Sequence, residues 1–292
     1  MIASQKISVG AVILNHNDNE NTLRLVAQFV DNDHIDAIVV IDNSGNTGLA
    51  GSEIVLLNPK VIFLKCSNDG YAHGNNMAIQ KIKEKYGLPD TIIISNPDVE
   101  ISDESIYKCI EFLGDNPDYA VVTPRMMKTD GSFHPLAGWK ERTFKSDLAY
   151  SSGIMSRIIG MYHEAYSPEY WSTQFSDVDC VTGSFFLVRG DLFEKVGFFD
   201  EHTFLFYEED ILGFKIKRLG YREAVLNYCT FIHHEGVSAG RRVNYLRKYC
   251  IMQRSRLYFH RKYTRLNPFQ YFILIIVTGI GFCENLLKTI LF

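Results

Sequence analysis

A chain of 292 residues with 46% hydrophobic and 22% charged side chains has the composition of an ordinary globular protein and can bury a sizeable core. Its formal net charge of -4 excludes a polycation that binds nucleic acid through overall charge. The six cysteines form no C-x-x-C pair. A zinc ribbon is therefore excluded, and reduced, mostly buried thiols are expected.

The first 125 residues alternate short apolar runs with amphipathic segments. The apolar runs predict strands at residues 7–14, 35–41, 61–64, 91–95 and 119–123. Helical patterns fall between these runs, at residues 22–30, 74–86 and 103–113. The first run leads straight into a polar segment, which favours a buried strand over an export signal. This alternation predicts an α/β fold with a mainly parallel central sheet flanked by helices.

Polar residues follow each of the first four predicted strands. In strand order they are Asn15; Asp42 and Asn43; Asp69 and Gly70; and Asn96 and Asp98. A turn explains any one of these clusters, but four in succession are harder to explain in that way. Because ligands of such sheets bind at the carboxyl ends of the strands, we expect a binding site there.

The middle of the chain lacks a clear period. Residues 126–177 are rich in aromatic side chains and predict a hairpin followed by a long, partly helical excursion. This excursion serves either as an acceptor-binding flap or as a packed insertion. Regular structure resumes with a predicted strand at residues 178–188, a helix at 208–219 and a strand near 223–226.

The C-terminal third is strongly one-sided in charge. Between Gly236 and Cys283 the chain contains nine Lys and Arg residues and no Asp or Glu. A basic, helical pattern at 244–262 precedes an apolar segment at 269–283. About 15 apolar residues fall short of the roughly 20 that span a bilayer, so we expect an interfacial helix with a basic collar on an anionic membrane. Packing of this helix on the domain or on a second subunit is the alternative.

Transfer of a sugar from a nucleotide requires a grip on the nucleoside, a counter-charge for the diphosphate and a base for the acceptor hydroxyl. Mg²⁺ or Mn²⁺ suits the diphosphate, and a carboxylate suits the proton. Asp42 and Asp69 are placed to accept hydrogen bonds from the nucleoside, and Asp98 is placed to ligate the metal. Capping of the helix that begins near Asp103 is the alternative role for Asp98.

Two further clusters carry candidate chemistry. Glu208, Glu209 and Asp210 begin a predicted helix, where acids complement the helix dipole. Crowding also raises the pKa of a carboxyl group, which suits it to general base catalysis. His233 and His234 follow a predicted strand and offer a metal or phosphate ligand.

In order and spacing these motifs resemble the inverting glycosyltransferases of family 2, particularly their rhamnosyltransferase branch. The resemblance runs from Ile7 to about Ser238 and rests on landmarks of the following kind: Val40-Ile41-Asp42-Asn43-Ser44, Asn68-Asp69-Gly70-Tyr71, Asn96-Pro97-Asp98, Thr182-Gly183-Ser184, Tyr207-Glu208-Glu209-Asp210 and Gly220-Tyr221. It implies a GT-A fold over residues 1–238, with a donor nucleotide-binding half at 1–125 and an acceptor-binding, catalytic half at 126–238. Residues 239–292 form a helical C-terminal extension.

The resemblance also implies roles on the donor side. Asp42 contacts the nucleotide base, and Asp69 and Asn75 lie near the donor. Asp98 matches the last acid of the family's D-x-D metal motif. Asn96 replaces the first acid of that motif, which weakens the expected hold on the metal.

On the acceptor side, the resemblance makes Glu209 the catalytic base. Because Asp210 adds a third acid to the family's E-D pair, Glu208 and Asp210 stay open as alternatives. His233 fits the family's late His-x-x-Gly-x-Ser pattern, and His234 is the close alternative.

The function implied is inverting transfer from dTDP-rhamnose or a UDP-sugar to a glycan on polyprenyl diphosphate, in O-antigen or capsule biosynthesis. The expected location is the cytoplasmic face of the cell membrane, with peripheral contact through the C-terminus and with no nucleic-acid partner. A homo-oligomer is left open.

The sequence disfavours three other functions. A sugar-phosphate nucleotidyltransferase needs a basic, glycine-rich loop after the first strand, where residues 15–20 are not basic. A dinucleotide oxidoreductase needs a G-x-G-x-x-G motif there, which the chain lacks. A non-catalytic glycan-binding or scaffold subunit is disfavoured because Asp42, Asp98 and Glu209 are retained.

Overall fold

The structure, a computed structural model, describes residues 8–45, 48–49, 58–160, 166–234 and 245–291. The strands in these residues are β1 (Val9–Asn15), β2 (Ala37–Asp42), β3 (Val61–Lys65), β4 (Thr91–Ser95), β5 (Val99–Ile101), β6 (Tyr119–Met127), β7 (Gly138–Trp139), β8 (Phe175–Val178), β9 (Cys180–Val181), β10 (Phe185–Arg189) and β11 (Arg222–His233).

The α-helices of the same residues are α1 (Asn19–Asp31), α2 (Tyr71–Tyr86), α3 (Asp103–Asp115), α4 (Phe144–Ser151), α5 (Gly153–Ile159), α6 (Gly190–Lys195), α7 (Glu208–Arg218), α8 (Tyr245–Phe259) and α9 (Pro268–Leu291). A 3-10 turn covers Pro168–Ser172, and a π-helical turn at His260–Thr264 follows α8.

The central sheet is mixed, with the strand order β3-β2-β1-β4-β10-β6-β11-β5, and β8 pairs with β11. Strands β1 to β4 pair in parallel. Strand β10 runs antiparallel to both β4 and β6, so β6 points the same way as β4, and β11 is parallel to β6. Most strands of the sheet therefore share one direction, which confirms the predicted α/β fold. Strands β7 and β9 form a separate antiparallel pair.

The buried faces explain why these segments fold as they do. Every residue of β1 and of β2 is buried, as expected for strands with helices on both sides. On α1, the buried residues Thr22, Leu25, Val26 and Phe29 recur at the spacing of one helix face. The helix therefore packs one stripe on the sheet and leaves its polar side to solvent.

The first strand ends meet at one edge of the sheet, as predicted. Asn15 pairs with Asp42, and Asp42 pairs with Lys65, while Ser95 pairs with Ile13 near the end of β1. The polar residues that follow these strands are thereby gathered above that edge.

The predicted strand at residues 178–188 is interrupted in the structure. Strand β9 ends at Val181 and β10 begins at Phe185. The loop between them, called the 182–184 loop below, bonds to other parts of the chain. Thr182 N–H donates to the Ala137 carbonyl oxygen (3.2 Å), and the Ser184 carbonyl oxygen accepts from Asn96 N–H (2.8 Å). These contacts prevent one continuous strand.

The C-terminal extension is helical, as predicted, but its last helix is longer than the apolar segment suggested. Helix α9 has 24 residues and continues past residue 283. Glu284 lies within it, and its carboxylate accepts from the N–H groups of Gly153 (2.7 Å) and Ile154 (2.9 Å) at the start of α5. By length and composition, Pro268–Ile290 is a helix that can cross a membrane. The predicted domain boundary at 238/239 lies outside the described residues.

Candidate active site

The donor side is built around two buried polar residues at the ends of β1 and β2. Asn15 Nδ2 donates to Asp42 Oδ1 (2.9 Å), and Ser44 donates to the same oxygen through N–H (3.1 Å) and Oγ (2.5 Å). Asp42 Oδ2 accepts from Leu49 N–H (2.9 Å). Since each carboxylate oxygen offers about two lone pairs, Oδ2 is the atom of Asp42 with capacity for a further donor as far as the described residues are concerned.

Asn43 and Asp69 extend this cluster towards solvent. Asn43 Oδ1 accepts from the His16 ring (2.9 Å), and Asn43 Nδ2 lies 3.5 Å from Asn68 Oδ1. The exposed Asp69 carboxylate accepts from the Ser67 hydroxyl. Both Asp42 and Asp69 act on the Cys66 thiol, whose pKa burial and these two charges raise. The predicted donor-side acids therefore lie near one another.

Gly70 places the start of α2 against the loop before α7 (residues 198–207, called the catalytic loop below). Gly70 has a φ of +118°, and a Cβ there would lie 2.5 Å from the Phe204 carbonyl oxygen. Only glycine fits this close approach. The buried Asn75 donates to the Tyr71 carbonyl oxygen (2.9 Å), and its Oδ1 has no partner among the described residues.

The candidate metal carboxylate pairs with one of the two late histidines. His233 Nε2 lies 3.2 Å from Asp98 Oδ1, and both side chains are largely buried. The His234 ring instead contacts Glu100 Oε2 (3.1 Å). The structure thus brings His233, and not the His234 ring, to Asp98. The capping alternative for Asp98 is wrong, because Ser102 Oγ accepts from Ser105 N–H and caps α3.

Asp98 and His233 fit a divalent ion that takes its other ligands from substrate. No group of three or more His, Cys, Asp or Glu in the described part of the chain is placed to hold an ion. Mg²⁺ bound at nucleotide sites commonly uses one or two protein carboxylates, with substrate phosphates and water completing the shell. A single carboxylate with one imidazole is consistent with that kind of site.

The three acids at the start of α7 occupy three different environments. Glu208 is buried, and its Oε1 has no partner among the described residues. Asp210 Oδ1 accepts from Trp139 Nε1 (2.9 Å) and from Arg142 Nε (3.2 Å). Glu209 keeps a partly exposed side chain. Of the three, Glu209 alone is only half-buried, and it is not held in an ion pair as close as that of Asp210.

Glu209 is set for proton transfer near neutral pH. Burial and the adjacent Asp210 carboxylate raise its pKa to about 7, while Arg142 and the Gly183 N–H act in the opposite direction. A general base works best when its pKa lies close to the working pH. Burial and the charge of Glu209 also raise the pKa of Glu208 well above its ordinary value, which favours ionisation of Glu209 over that of Glu208.

The 182–184 loop connects the candidate base to the candidate metal side. A Cβ at Gly183 would lie 1.9 Å from Glu209 Oε1, so the carboxylate rests directly on the backbone of this glycine. The neighbouring Ser184 carbonyl oxygen holds Asn96 N–H, two residues before Asp98. Asn96 therefore contributes its backbone N–H here, so that Glu209 and the segment leading to Asp98 both contact this loop.

Sequence reasoning missed the residues that support these groups. Tyr71 Oη donates to the Gly183 carbonyl oxygen (2.7 Å) and thereby fixes the loop under Glu209. Arg142 and Trp139 reach Asp210 from the aromatic excursion. The only sequence signal for the latter was the aromatic richness of that segment, because no local period links residues about 70 positions apart.

Comparison with known proteins agrees with this geometry. The profile of the family described as glycosyl transferase family 2 matches residues 11–197. The low-salt glycan biosynthesis hexosyltransferase Agl10 of Haloferax volcanii is 23% identical over 79% of this chain and 68% of its own length. The N-acetylglucosaminyl-diphospho-decaprenol L-rhamnosyltransferase of Mycobacterium tuberculosis is 27% identical over 70% and 68%. The rhamnosyltransferase WbbL of Escherichia coli is 26% identical over 76% and 80%.

Solved structures share the fold. GalNAc-T7, solved with UDP, GalNAc and Mn²⁺, superposes with a TM-score of 0.60 at 14% identity, over 89% of this chain and 49% of that one. The mannosyltransferase PcManGT of Pyrobaculum calidifontis, solved with GDP-Man and Mn²⁺, gives a TM-score of 0.56 at 14% identity, over 95% and 71%. With the family profile spanning well over half of the chain, this protein belongs to glycosyl transferase family 2 and is a rhamnosyltransferase-like glycosyltransferase of GT-A fold.

Proposed function

We propose that this enzyme transfers a sugar, with inversion, from dTDP-rhamnose or a UDP-sugar to a glycan carried on polyprenyl diphosphate in surface polysaccharide biosynthesis. The observation that carries the proposal is the partly exposed Glu209 carboxyl, with its pKa raised to about 7, on the loop that also adjoins the Asp98 segment. In this proposal the 182–184 loop contacts both the base, Glu209, and the segment that leads to the metal ligand Asp98.

In the proposed reaction, Glu209 accepts the proton of an acceptor hydroxyl. The freed oxygen attacks C1 of the donor sugar from the face opposite the diphosphate, and the C1–O bond to the diphosphate breaks. The proton ends on Glu209, and the electron pair leaves with the nucleoside diphosphate. Arg142 and the Gly183 N–H stabilise the ionised form of Glu209 between turnovers.

Asp98 and His233 would hold Mg²⁺ or Mn²⁺, and such an ion supplies positive charge to the departing diphosphate. Asp42 Oδ2 would accept from the N3–H of uracil or thymine, and Asp69, Asn43 and Gly70 would border the nucleoside. The relatives named above support a rhamnosyl or hexosyl donor, and the decaprenol enzyme supports a diphosphate lipid acceptor.

We infer peripheral membrane contact through α9. Its outward face is apolar and exposed, with Phe269 at 72%, Phe272 at 59% and Ile290 at 69% of their full exposure. Its inward face packs Leu274 and Val277 beside Leu148 of α4. A helix that is packed on the domain along one side lies more naturally in the membrane surface than across it. We propose the cytoplasmic face of the membrane as the location, because the proposed donor is a nucleotide sugar.

Six of the seven described cations at residues 245–265 are exposed and suit an anionic lipid surface: Arg247, Lys248, Arg254, Arg261, Lys262 and Arg265. Lys262 also bonds to Asp200. Arg256 is buried beside Asp147 and therefore serves the interior of the protein.

A donor panel tests the proposal. Purified enzyme is incubated with a short-chain N-acetylglucosaminyl diphosphate lipid and with dTDP-rhamnose or individual UDP-sugars, with Mg²⁺, with Mn²⁺ or with EDTA. We expect one donor to give a disaccharide lipid whose new anomeric centre is inverted, and we expect EDTA to reduce the rate. Formation of a nucleotide sugar from a sugar phosphate, or binding without turnover of any donor, would refute the proposal.

A further inference from the structure

The C-terminal helices hold the catalytic loop at several points along its length. Tyr258 Oη (2.8 Å) and Lys262 Nζ (3.0 Å) donate to Asp200 Oδ2, near the start of the loop. Ser255 Oγ donates to the Leu205 carbonyl oxygen (2.9 Å), near its end. A segment that sequence patterns assign to the membrane thus contacts the residues that lead into the candidate base.

The last of these contacts is a buried network around Tyr207. Its hydroxyl donates to Asp147 Oδ1 (2.7 Å) and accepts from Arg256 Nε (2.7 Å). The other Asp147 oxygen lies 2.7 Å from His260 Nε2. Asp147 and His260 are fully buried, and Arg256 is 1% exposed. An unpaired charge at such depth is unfavourable, so these groups are fixed on one another.

The backbone at this point needs such support. Phe206 and Tyr207 have φ values of +71° and +72°, in the left-handed region that side chains with a Cβ rarely adopt. Tyr207 also precedes α7 without capping it through a side chain. The strained pair turns the chain so that Glu208 points inwards and Glu209 meets Gly183. Relaxation of this turn would move Glu209 first.

We propose that Asp147, Arg256 and His260 are positioning residues, which hold the Tyr207 hydroxyl and so fix the turn that presents Glu209 to the acceptor. The inference rests on the proposed function, because it assigns these groups to the same base. They touch neither donor nor acceptor in this scheme. Their effect is to keep the base within reach of its proton.

The same scaffold reaches the apolar helix. Tyr249 Oη donates to the carbonyl oxygens of Ser151 (2.7 Å) in α4 and Thr278 (2.8 Å) in α9. Helices α4, α8 and α9 are thereby bonded together, and α4 and α8 carry Asp147 and Arg256. These bonds of Tyr249 join the helices at a point separate from the bonds of the Tyr207 hydroxyl.

The test uses two matched substitutions on the full-length enzyme. Tyr207→Phe removes only the hydroxyl that enters the buried network. Tyr249→Phe removes the same group from α8, where it bonds α4 and α9 but does not touch the catalytic loop. Both are compared with wild type for transfer on the best donor of the panel, nucleotide binding by calorimetry, and hydrogen exchange of backbone amides.

We expect Tyr207→Phe to lower kcat by about tenfold to a hundredfold, as a small displacement of a catalytic group does, with an unchanged Kd for the nucleoside diphosphate. The acidic limb of the kcat/KM profile should move to lower pH as Glu209 gains water. The charged and titratable groups that face Glu209 are Glu208, Asp210, Arg142, Glu223 and Tyr71. Neither substitution replaces any of these groups.

Hydrogen exchange of backbone amides gives a readout that does not depend on turnover. Ile211 N–H, which bonds to the Tyr207 carbonyl oxygen (2.9 Å), should exchange faster in Tyr207→Phe and at the wild-type rate in Tyr249→Phe. If the two variants have the same kcat, pH profile and Ile211 exchange, the inference is wrong. If wild type transfers no sugar from any donor, the proposed function is wrong, and the exchange rates alone still decide whether the network holds the turn.

Discussion

At the scale of single residues, adjacent carboxyl groups acquire different properties from their contacts. Glu208 is enclosed, Asp210 is bonded to Trp139 and Arg142, and Glu209 rests on the Gly183 backbone. The acidic cluster could be predicted from the sequence. The family resemblance favoured Glu209 as the base and left Glu208 and Asp210 open. The sequence could not separate the three, because the groups that distinguish them come from segments about 25 to 70 residues away.

The pH dependence of the reaction follows from the Glu209 environment. Because the base must be ionised, kcat/KM should rise with pH and reach half of its plateau near the Glu209 pKa of about 7. A profile of kcat/KM between pH 5 and 9 at saturating metal measures this. A half-maximum near pH 4.5, the ordinary value for glutamate, would contradict the assigned environment.

A second prediction at this scale concerns the buried Glu223 and the pH dependence of stability. Burial raises its pKa well above the ordinary value, and its Oε1 has no partner among the described residues. Because the folded state binds this proton more tightly than the unfolded state does, folding becomes less favourable as pH rises above the ordinary glutamate value of 4.5 towards the folded pKa.

Glu223→Gln removes this proton uptake. Its Tm relative to wild type should therefore increase between pH 5 and pH 8, as followed by circular dichroism. The exposed Glu194→Gln on α6 serves as the control and should show no such trend. A constant difference for Glu223→Gln over this range would show that the buried carboxyl is not the source of the effect.

At the scale of elements, the strands were easier to predict than the loops. The alternation of apolar runs and helical patterns predicted β1 to β4 and their polar ends. β1, β2 and β4 are continuous, buried runs, and β3 is a short, mostly apolar run at the edge of the sheet. The prediction of a strand at the 182–184 loop was wrong. The hydrogen bonds of this loop go to Ala137 and Asn96 in distant segments, which a local pattern does not show. The length of α9 was underestimated, because Glu284 ends the apolar run in sequence but caps α5 in space.

Helix α9 makes a prediction about membrane contact. The double substitution Phe272→Glu and Ile276→Glu places two charges on its exposed face and should reduce binding to vesicles containing anionic phospholipid by at least tenfold. Deletion of residues 267–292 is a less specific test, because it also removes Glu284 from α5.

The matched control is Tyr107→Glu, an exposed position on α3, a helix that packs on the central sheet. It should bind vesicles as wild type does. Sedimentation with vesicles measures both. Unchanged binding of the double variant at an unchanged Tm would assign α9 to packing or to self-association instead.

At the scale of the whole molecule, the C-terminal helices bond to the domain that carries the candidate site, although sequence patterns present the two as separate. The sheet gathers the donor-side residues along the ends of β1, β2 and β4. The C-terminal helices, predicted to contact a membrane, also bond to the catalytic loop through Asp200, Leu205 and Tyr207. Buried contacts between residues 50 to 113 positions apart leave no periodic signal, which is why the sequence did not show them.

The central claim is that a glycosyltransferase of this fold uses Glu209 as its base, and the replacement of one carboxyl tests it most directly. Single-turnover transfer by Glu209→Gln is measured beside calorimetric binding of the nucleoside diphosphate, with Glu208→Gln as the neighbouring control. We predict that Glu209→Gln lowers transfer by about 10²- to 10⁴-fold with an unchanged Kd, and that Glu208→Gln retains most of the activity. Full transfer by Glu209→Gln would contradict the claim.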